Sequence, residues 1–214
     1  EISACLVGSE MCIRDRLRAI HQNQGGRRQQ MNRVAKFSKV SFEQFYNDFC
    51  DTFFENCDKP SKECVKGIYD EIKVPTRATV GSAGYDFYAP IDMSLVPGVE
   101  MKVPTGIRVE IDPGWWLACM PKSGLGFKYR LQLNNTVGVI DSDYFHSDNE
   151  GHIFAKVIND SRQNKNVLIT KGDSFIQGIL LPYGISYNDA ADGIRNGGFG
   201  STSVPNVVEF GAKN

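Results

Sequence analysis

Several things are missing from this 214-residue sequence, and each absence excludes a class of function. No two of its cysteines (Cys5, Cys12, Cys50, Cys57, Cys64 and Cys119) form a C-x-x-C pair. That removes the usual spacing of a structural zinc site. No apolar run approaches the ~18 residues of a membrane-spanning helix, so no membrane association is expected. The first residues lack the basic start, apolar stretch and small-residue cleavage site of a secretory signal. Net charge is nearly absent too: 24 Lys and Arg stand against 25 Asp and Glu, for a formal charge of −1. A chain so balanced is not built to grip nucleic acid through its backbone charge. A local cluster of donors could still hold a small phosphorylated ligand.

What is present begins unevenly. Residues 1–30 carry Arg14-Asp15-Arg16, a polar stretch from Gln22 to Gln30 and no sustained apolar period. We read them as non-native upstream sequence or a disordered native tail, with Met31 as the expected natural start. From Ser41 the pattern becomes helical. Phe42, Phe45, Tyr46, Phe49 and Phe53 form one stripe, and Ser41 followed by Gln44 is a capping-box signature. A second short helix is expected from Ser61 to about Ile72, burying Val65, Ile68, Tyr69 and Ile72. Cys50, Cys57 and Cys64 recur every seven residues, but Pro60 interrupts any continuous helix. They are expected to be small buried thiols, in keeping with a reducing cytoplasm.

After Pro75 the period falls to two. Val99, Met101 and Val103 alternate with Glu100 and Lys102, and Ile107, Val109 and Ile111 with Arg108 and Glu110. Turn signals at Pro97-Gly98, Asp112-Pro113-Gly114, Asn134-Asn135 and Lys171-Gly172-Asp173 separate the short strands. Such spacing suggests an all-β sandwich, jelly roll or barrel. The expected organisation is a leader (1–30), a helical N-terminal extension (31–73), a β domain (74–190) and a flexible glycine-rich tail (191–214).

Five segments can carry chemistry. Ala83-Gly84-Tyr85-Asp86 places a carboxylate beside a turn, where it could face a cation or simply cap the turn. Pro121-Lys122-Ser123-Gly124-Leu125-Gly126 offers a point charge, a hydroxyl and approachable amides for phosphate oxygens. Asn134 to Tyr144 suggests a buried hairpin of Val137, Val139 and Ile140 with Asp141 at its mouth. There a carboxylate beside apolar walls could deprotonate a water; alone, it could equally be a solvated turn. Gly172 to Gln177 is a turn feeding an apolar strand. Arg195 to Ser203 combines a guanidinium fork, hydroxyls, exposed amides and a lone aromatic, Phe199, suited to stacking on a ligand ring.

In this order the five segments resemble the five motifs of the trimeric dUTPase family over roughly Lys73 to Ser203. The resemblance implies an antiparallel β jelly roll assembled as a homotrimer, with active sites shared between subunits. The implied reaction is hydrolysis of dUTP to dUMP and diphosphate with Mg2+. It further implies Asp141 as the residue that activates the attacking water, and Asn135 with Gly138, Val139 and Ile140 as the reader of uracil. Tyr144 would lie under the deoxyribose. Lys122, Ser123, Gly124 and Gln177 would contact phosphates, and Phe199 with Gly200 would form the lid. Arg195, Ser201 and Thr202 would clamp the γ-phosphate, and Asp86 would approach the metal through water. Lys122 stands where arginine is usual, Ser174 where a basic residue is common, and Ser203 where the last glycine is usual. The link Phe145 to Glu150 is longer than usual.

Two other functions compete with this one. A dCTP deaminase of the same fold would need a glutamate where Lys156 stands, and lysine cannot serve as that acid/base. A catalytically weak regulatory protein that binds nucleotide would not need Asp141 and a complete tail.

Overall fold

The computed structural model describes residues 31–197, so residues 1–30 and the tail from 198, including Phe199, Gly200, Ser201 and Thr202, lie outside the described residues. The chain divides after Arg33 into two units, and every strand and helix named below belongs to the second. Among the described residues it holds eleven strands: β1 (Ala35–Lys39), β2 (Tyr85–Tyr88), β3 (Met93–Leu95), β4 (Glu100–Pro104), β5 (Ile107–Ile111), β6 (Trp115–Pro121), β7 (Leu131–Leu133), β8 (Gly138–Ile140), β9 (Phe154–Asn159), β10 (Val167–Ile169) and β11 (Ser174–Pro182). Three helices join them: α1 (Phe42–Phe53), α2 (Lys62–Asp70) and α3 (Ser123–Tyr129), with a 3-10 turn over Ser142–His146.

Every strand pairing among the described residues is antiparallel. The strands form a four-stranded sheet β2-β11-β6-β8, a three-stranded sheet β4-β9-β7 and the pairs β1-β5 and β3-β10. This is the expected jelly roll, and the alternation in β5 reads directly into it. Ile107, Val109 and Ile111 are buried, while Glu110 is exposed. One core runs through the sheets, built on Phe87, Leu95, Ile107, Leu117, Leu131 and Phe175, all nearly inaccessible.

The extension is not helical throughout, because Ala35–Lys39 adds to β5 with Phe37 opposite Val109. Its Lys-Phe-Ser-Lys run is too polar to announce a strand; β5 supplies the partner that makes it one. The N-terminus of α1 keeps only half of the expected capping box. Ser41 Oγ accepts from Gln44 N–H at 3.1 Å, but the Gln44 side chain donates to Asp48 instead. A distant carboxylate, Glu150, takes over its role, accepting from Ser41 N at 2.7 Å and Ser41 Oγ at 2.6 Å. Phe45 and Phe49 bury the inner face of α1, worth about 1.5–3 kcal/mol per large side chain. Phe42, Tyr46 and Phe53 pack at its border. In α2, Val65 is fully buried, and beyond the helix Ile72 is largely buried, but Ile68 and Tyr69 are only partly covered.

Two further expectations need correction. Of the repeating cysteines only Cys50 is buried; Cys57 and Cys64 are exposed. Cys57 falls in the turn after α1, and Cys64 on the outer face of α2, beside the buried Val65. The segment after β7 is also not a paired hairpin: β7 bonds to β9, whereas β8 bonds to β6. The turn Asn134–Val137 therefore crosses from one sheet to another, which leaves Val139 exposed while Ile140 faces the core.

Candidate active site

The site residues fall into two groups. The first gathers where β2, β11 and β6 run side by side. Asp86 on β2 is paired in register with Gln177 on β11, and Gln177 with Met120 on β6. Lys122 leaves the end of β6, and its Nζ lies 2.5 Å from Asp86 Oδ1. Gly84 is small for a reason of space: a Cβ there would sit 2.8 Å from Gln177 Oε1. The Gln177 amide reaches Pro121 O only at 3.5 Å, a weak bond that leaves it available. Beyond Lys122 the chain forms the short helix α3, where the sequence suggests a loop. Ser123 and Gly124 are its exposed first residues, with amides that precede the first intrahelical bonds. A lysine, an amide, a hydroxyl and free N–H groups suit phosphate oxygens.

The second group surrounds the turn after β8. Asp141 caps the 3-10 turn by position only, with no side-chain cap bond. Its side chain is 45% exposed and meets the Nη2 of Arg195. Arg195 Nε also donates to Asp143 Oδ1 at 2.8 Å. Asn135 is exposed at the inter-sheet turn. Gly138 lies against β6 so closely that a Cβ would be 3.1 Å from Cys119 Cβ, which lets the backbone of β8 hug the sheet. Tyr144 is buried, and burial pushes its phenol upward. Its hydroxyl donates to His152 O at 2.8 Å and accepts from Asn149 Nδ2 at 2.9 Å. Sequence reasoning missed the partners Asp143, Asn149 and His152, and only Asp143 had a local signal, inside the Asp-Ser-Asp-Tyr run.

The two groups do not meet within one chain. Asp86 aligns with Met120 on β6, whereas Ile140 aligns with Leu117, so Asp141 falls beside Trp116. At ~3.3 Å per residue and ~4.8 Å per strand, this offset of four residues and three strands sets Asp86 and Asp141 about 20 Å apart. A cleft of about 580 Å3 lies elsewhere, bordered by Phe127, Arg130 and Arg162 among others, and none of the expected site residues lines it.

For a magnesium ion the donor set is sparse. No three His, Cys, Asp or Glu side chains cluster as a metal cage among the described residues. Mg2+ commonly takes one or two carboxylates, several waters and substrate phosphates. Asp86 beside the phosphate-type donors fits an ion held largely by the substrate.

Residues 70–203 match the dUTPase family model. The deoxyuridine 5'-triphosphate nucleotidohydrolase of Lactococcus lactis is 39% identical over 136 residues, which cover 62% of this chain and 89% of that protein. The enzyme of the same name from Aeromonas hydrophila is 37% identical over 143 residues, covering 63% and 90%. Among solved structures, a mutant dUTPase of the S. aureus phage phi11, described as coordinating a structural Mg(II) ion, superposes with a TM-score of 0.51. At 17% identity it covers 75% of this chain and 98% of its own, and supports the shared fold alone. With more than half of its length matched by the family model, the chain belongs to the dUTPase family.

Proposed function

We propose that the protein hydrolyses dUTP to dUMP and diphosphate as a homotrimer whose active sites draw on more than one subunit. One observation carries this reading: strand register sets Asp141 and Asp86, the neighbour of the phosphate donors, far apart in the same sheet, about 20 Å at ordinary strand spacings. A nucleoside triphosphate cannot be held at its phosphates and attacked at one of them by groups so separated. Asp141 of one copy must meet Lys122, Ser123, Gly124 and Gln177 of another. The segment after β11 supports an assembly, since Tyr183, Ile185, Tyr187 and Ile194 are large, apolar and exposed. Such a row is expected to find cover.

In this site Asp141 accepts a proton from a water as its oxygen attacks the α-phosphorus. The bond from that phosphorus to the bridging oxygen breaks, and diphosphate leaves with the electron pair. Lys122 with the amides of Ser123 and Gly124 stabilises the phosphate oxygens electrostatically. Mg2+, approached by Asp86 through water, would neutralise phosphate charge and orient the chain. Asn135 and the backbone of Gly138–Ile140 read the uracil edge, and Tyr144 lies under the deoxyribose. Arg195 turns from Asp141 to the γ-phosphate when substrate enters. Phe199, Gly200, Ser201 and Thr202 complete the closure.

Rejection of thymine must be steric, because attraction towards a single methyl is worth only about 1–3 kcal/mol. The deaminase alternative is not favoured: Lys156 stands on an exposed face paired with Glu100 at 2.5 Å. No helix of the described residues is long and apolar enough to cross a membrane. The described thiols are free, which suits a reducing cytoplasmic setting.

The test is diphosphate release from dUTP, dTTP, dCTP and UTP, each with Mg2+ and with chelator. Magnesium-dependent release from dUTP alone is expected. Release from several nucleotides would remove the roles given to Asn135 and Tyr144, and ammonia from dCTP would overturn the reaction itself.

A further inference from the structure

We infer that Asp48 and His152 are positioning residues for Tyr144, through which the helical extension sets the sugar selectivity of the active site. The inference rests on the role given to Tyr144 above.

His152 is fully buried yet bonded at both ring nitrogens. The Gly106 N–H donates to Nε2 at 2.7 Å, so Nε2 holds a lone pair and the proton sits on Nδ1. That proton points at Asp48 Oδ2, which lies 2.5 Å from Nδ1. The carboxylate thus fixes the tautomer and the ring plane, as carboxylates do for histidines that hold metals. Asp48 is itself held on α1, where Gln44 Nε2 donates to the same oxygen at 2.9 Å. Gly106 cannot drift, because its carbonyl accepts from Val40 N–H at 3.1 Å. It also has no room for a side chain: a Cβ would overlap Ile72 Cδ1 and lie 3.3 Å from Phe45 Cδ2.

The backbone of His152 carries this order to Tyr144. The His152 carbonyl accepts the Tyr144 hydroxyl at 2.8 Å. The His152 N–H donates to Asn149 O at 3.0 Å, and the Asn149 side chain donates back to the Tyr144 hydroxyl at 2.9 Å. Three consecutive restraints therefore join α1 to the tyrosine: carboxylate to imidazole, imidazole to its own backbone, backbone to phenol. Tyr144 follows Asp141 by three residues, and its N–H donates to Asp141 O at 3.2 Å. A sugar that must fit against Tyr144 is gauged by a ring whose far end is anchored from outside the shared dUTPase domain.

The measurement is kcat/KM for dUTP and for UTP on the full-length trimer of several variants. Asp48→Ala leaves the Nδ1 proton without an acceptor and frees the His152 backbone. The dUTP-to-UTP ratio should then fall by roughly tenfold, mainly through a higher KM for dUTP. Asp48→Asn still presents an oxygen to Nδ1–H and should stay within about threefold of the parent ratio. A purely structural role would lower the active fraction for both nucleotides and leave their ratio untouched. An unchanged ratio in Asp48→Ala that remains trimeric overturns the inference. Should that variant not fold, Tyr144→Phe keeps the ring and removes the hydroxyl on which both His152 O and Asn149 Nδ2 act, and an unchanged ratio there overturns it equally. Tyr144→Ala separates the two ideas. If it lowers the ratio while Asp48→Ala and Tyr144→Phe do not, the relay fails and the role of Tyr144 stands. If all three leave the ratio alone, both fall.

Discussion

Arg195 spans Asp141 and Asp143, its Nε 2.8 Å from Asp143 Oδ1 and its Nη2 against Asp141 Oδ2. One planar guanidinium thus bridges two carboxylates of the turn after β8. Both carboxylates are about half exposed, so the pairing is a modest one that phosphate oxygens can outcompete. Arg195→Ala is expected to raise the KM for dUTP and to lower kcat by about 10²-fold, the usual scale for a lost transition-state donor. Arg195→Lys should recover little, since lysine lacks the fork that serves two oxygens at once. Steady-state kinetics on both variants check this, and full recovery by lysine would refute it.

Gly151 ends the loop behind Tyr144 with a φ of +69°. A Cβ at this position would lie 2.7 Å from both Phe145 Cα and Tyr144 O. These are backbone atoms and cannot swing aside, and the left-handed conformation adds its own penalty. Gly151→Ala should cost about 3 kcal/mol or more of stability, a sum of backbone strain and steric overlap. Urea unfolding measures it. A midpoint close to that of the parent would mean that the loop readily takes another path.

Glu150 ties this loop to the start of α1. Burial alone would push its carboxyl up, but the bonds from Ser41 and the nearby Arg108 guanidinium outweigh this and hold it below the ordinary value of 4.5. A depressed carboxyl stabilises the fold fully above its unfolded value, and that contribution is lost as pH falls through the folded one. The stability gap between the parent and Glu150→Gln should therefore be constant from pH ~7 to ~5 and close as the pH drops further. Denaturant titrations at several pH values check the sign; a gap that widens in acid would contradict it.

The thiols should sort by environment. Burial pushes Cys119 up to about 12, and Cys50 is enclosed, while Cys57 and Cys64 are open to solvent. Alkylation at neutral pH followed by peptide mapping should mark Cys57 and Cys64 within minutes, and Cys50 and Cys119 only on unfolding, because the reactive species is an accessible thiolate.

Much of this architecture was legible in the sequence because its signals are local. Ser41 and Ser61 announce their helices, and the Ile-Arg-Val-Glu-Ile run of β5 shows its inner face by alternation alone. What stayed hidden depends on distant partners. The Lys-Phe-Ser-Lys strand exists because β5 offers it an edge to pair with. Asp48 and His152 meet across 104 positions, so no window of sequence connects them. The seven-residue cysteine spacing misled because it implied one face where the chain actually turns between two helices. Asp141 stood out in its motif, while its separation from Asp86 needed the register of β6 to be seen.

The separate placement of Asp86 on β2 and Asp141 after β8 also bears on inheritance. If each site takes its carboxylate from one copy and its phosphate grip from another, two different loss-of-function alleles can rescue each other. Asp141→Asn and Lys122→Ala chains, each inactive alone, should regain activity when refolded together, with about a quarter of the sites intact at equal mixing. Damaging changes in opposite halves of the site would then complement each other. A chain inactivated in both halves would silence two of the three sites in a trimer that it joins as one copy, where a chain inactivated in one half would silence one.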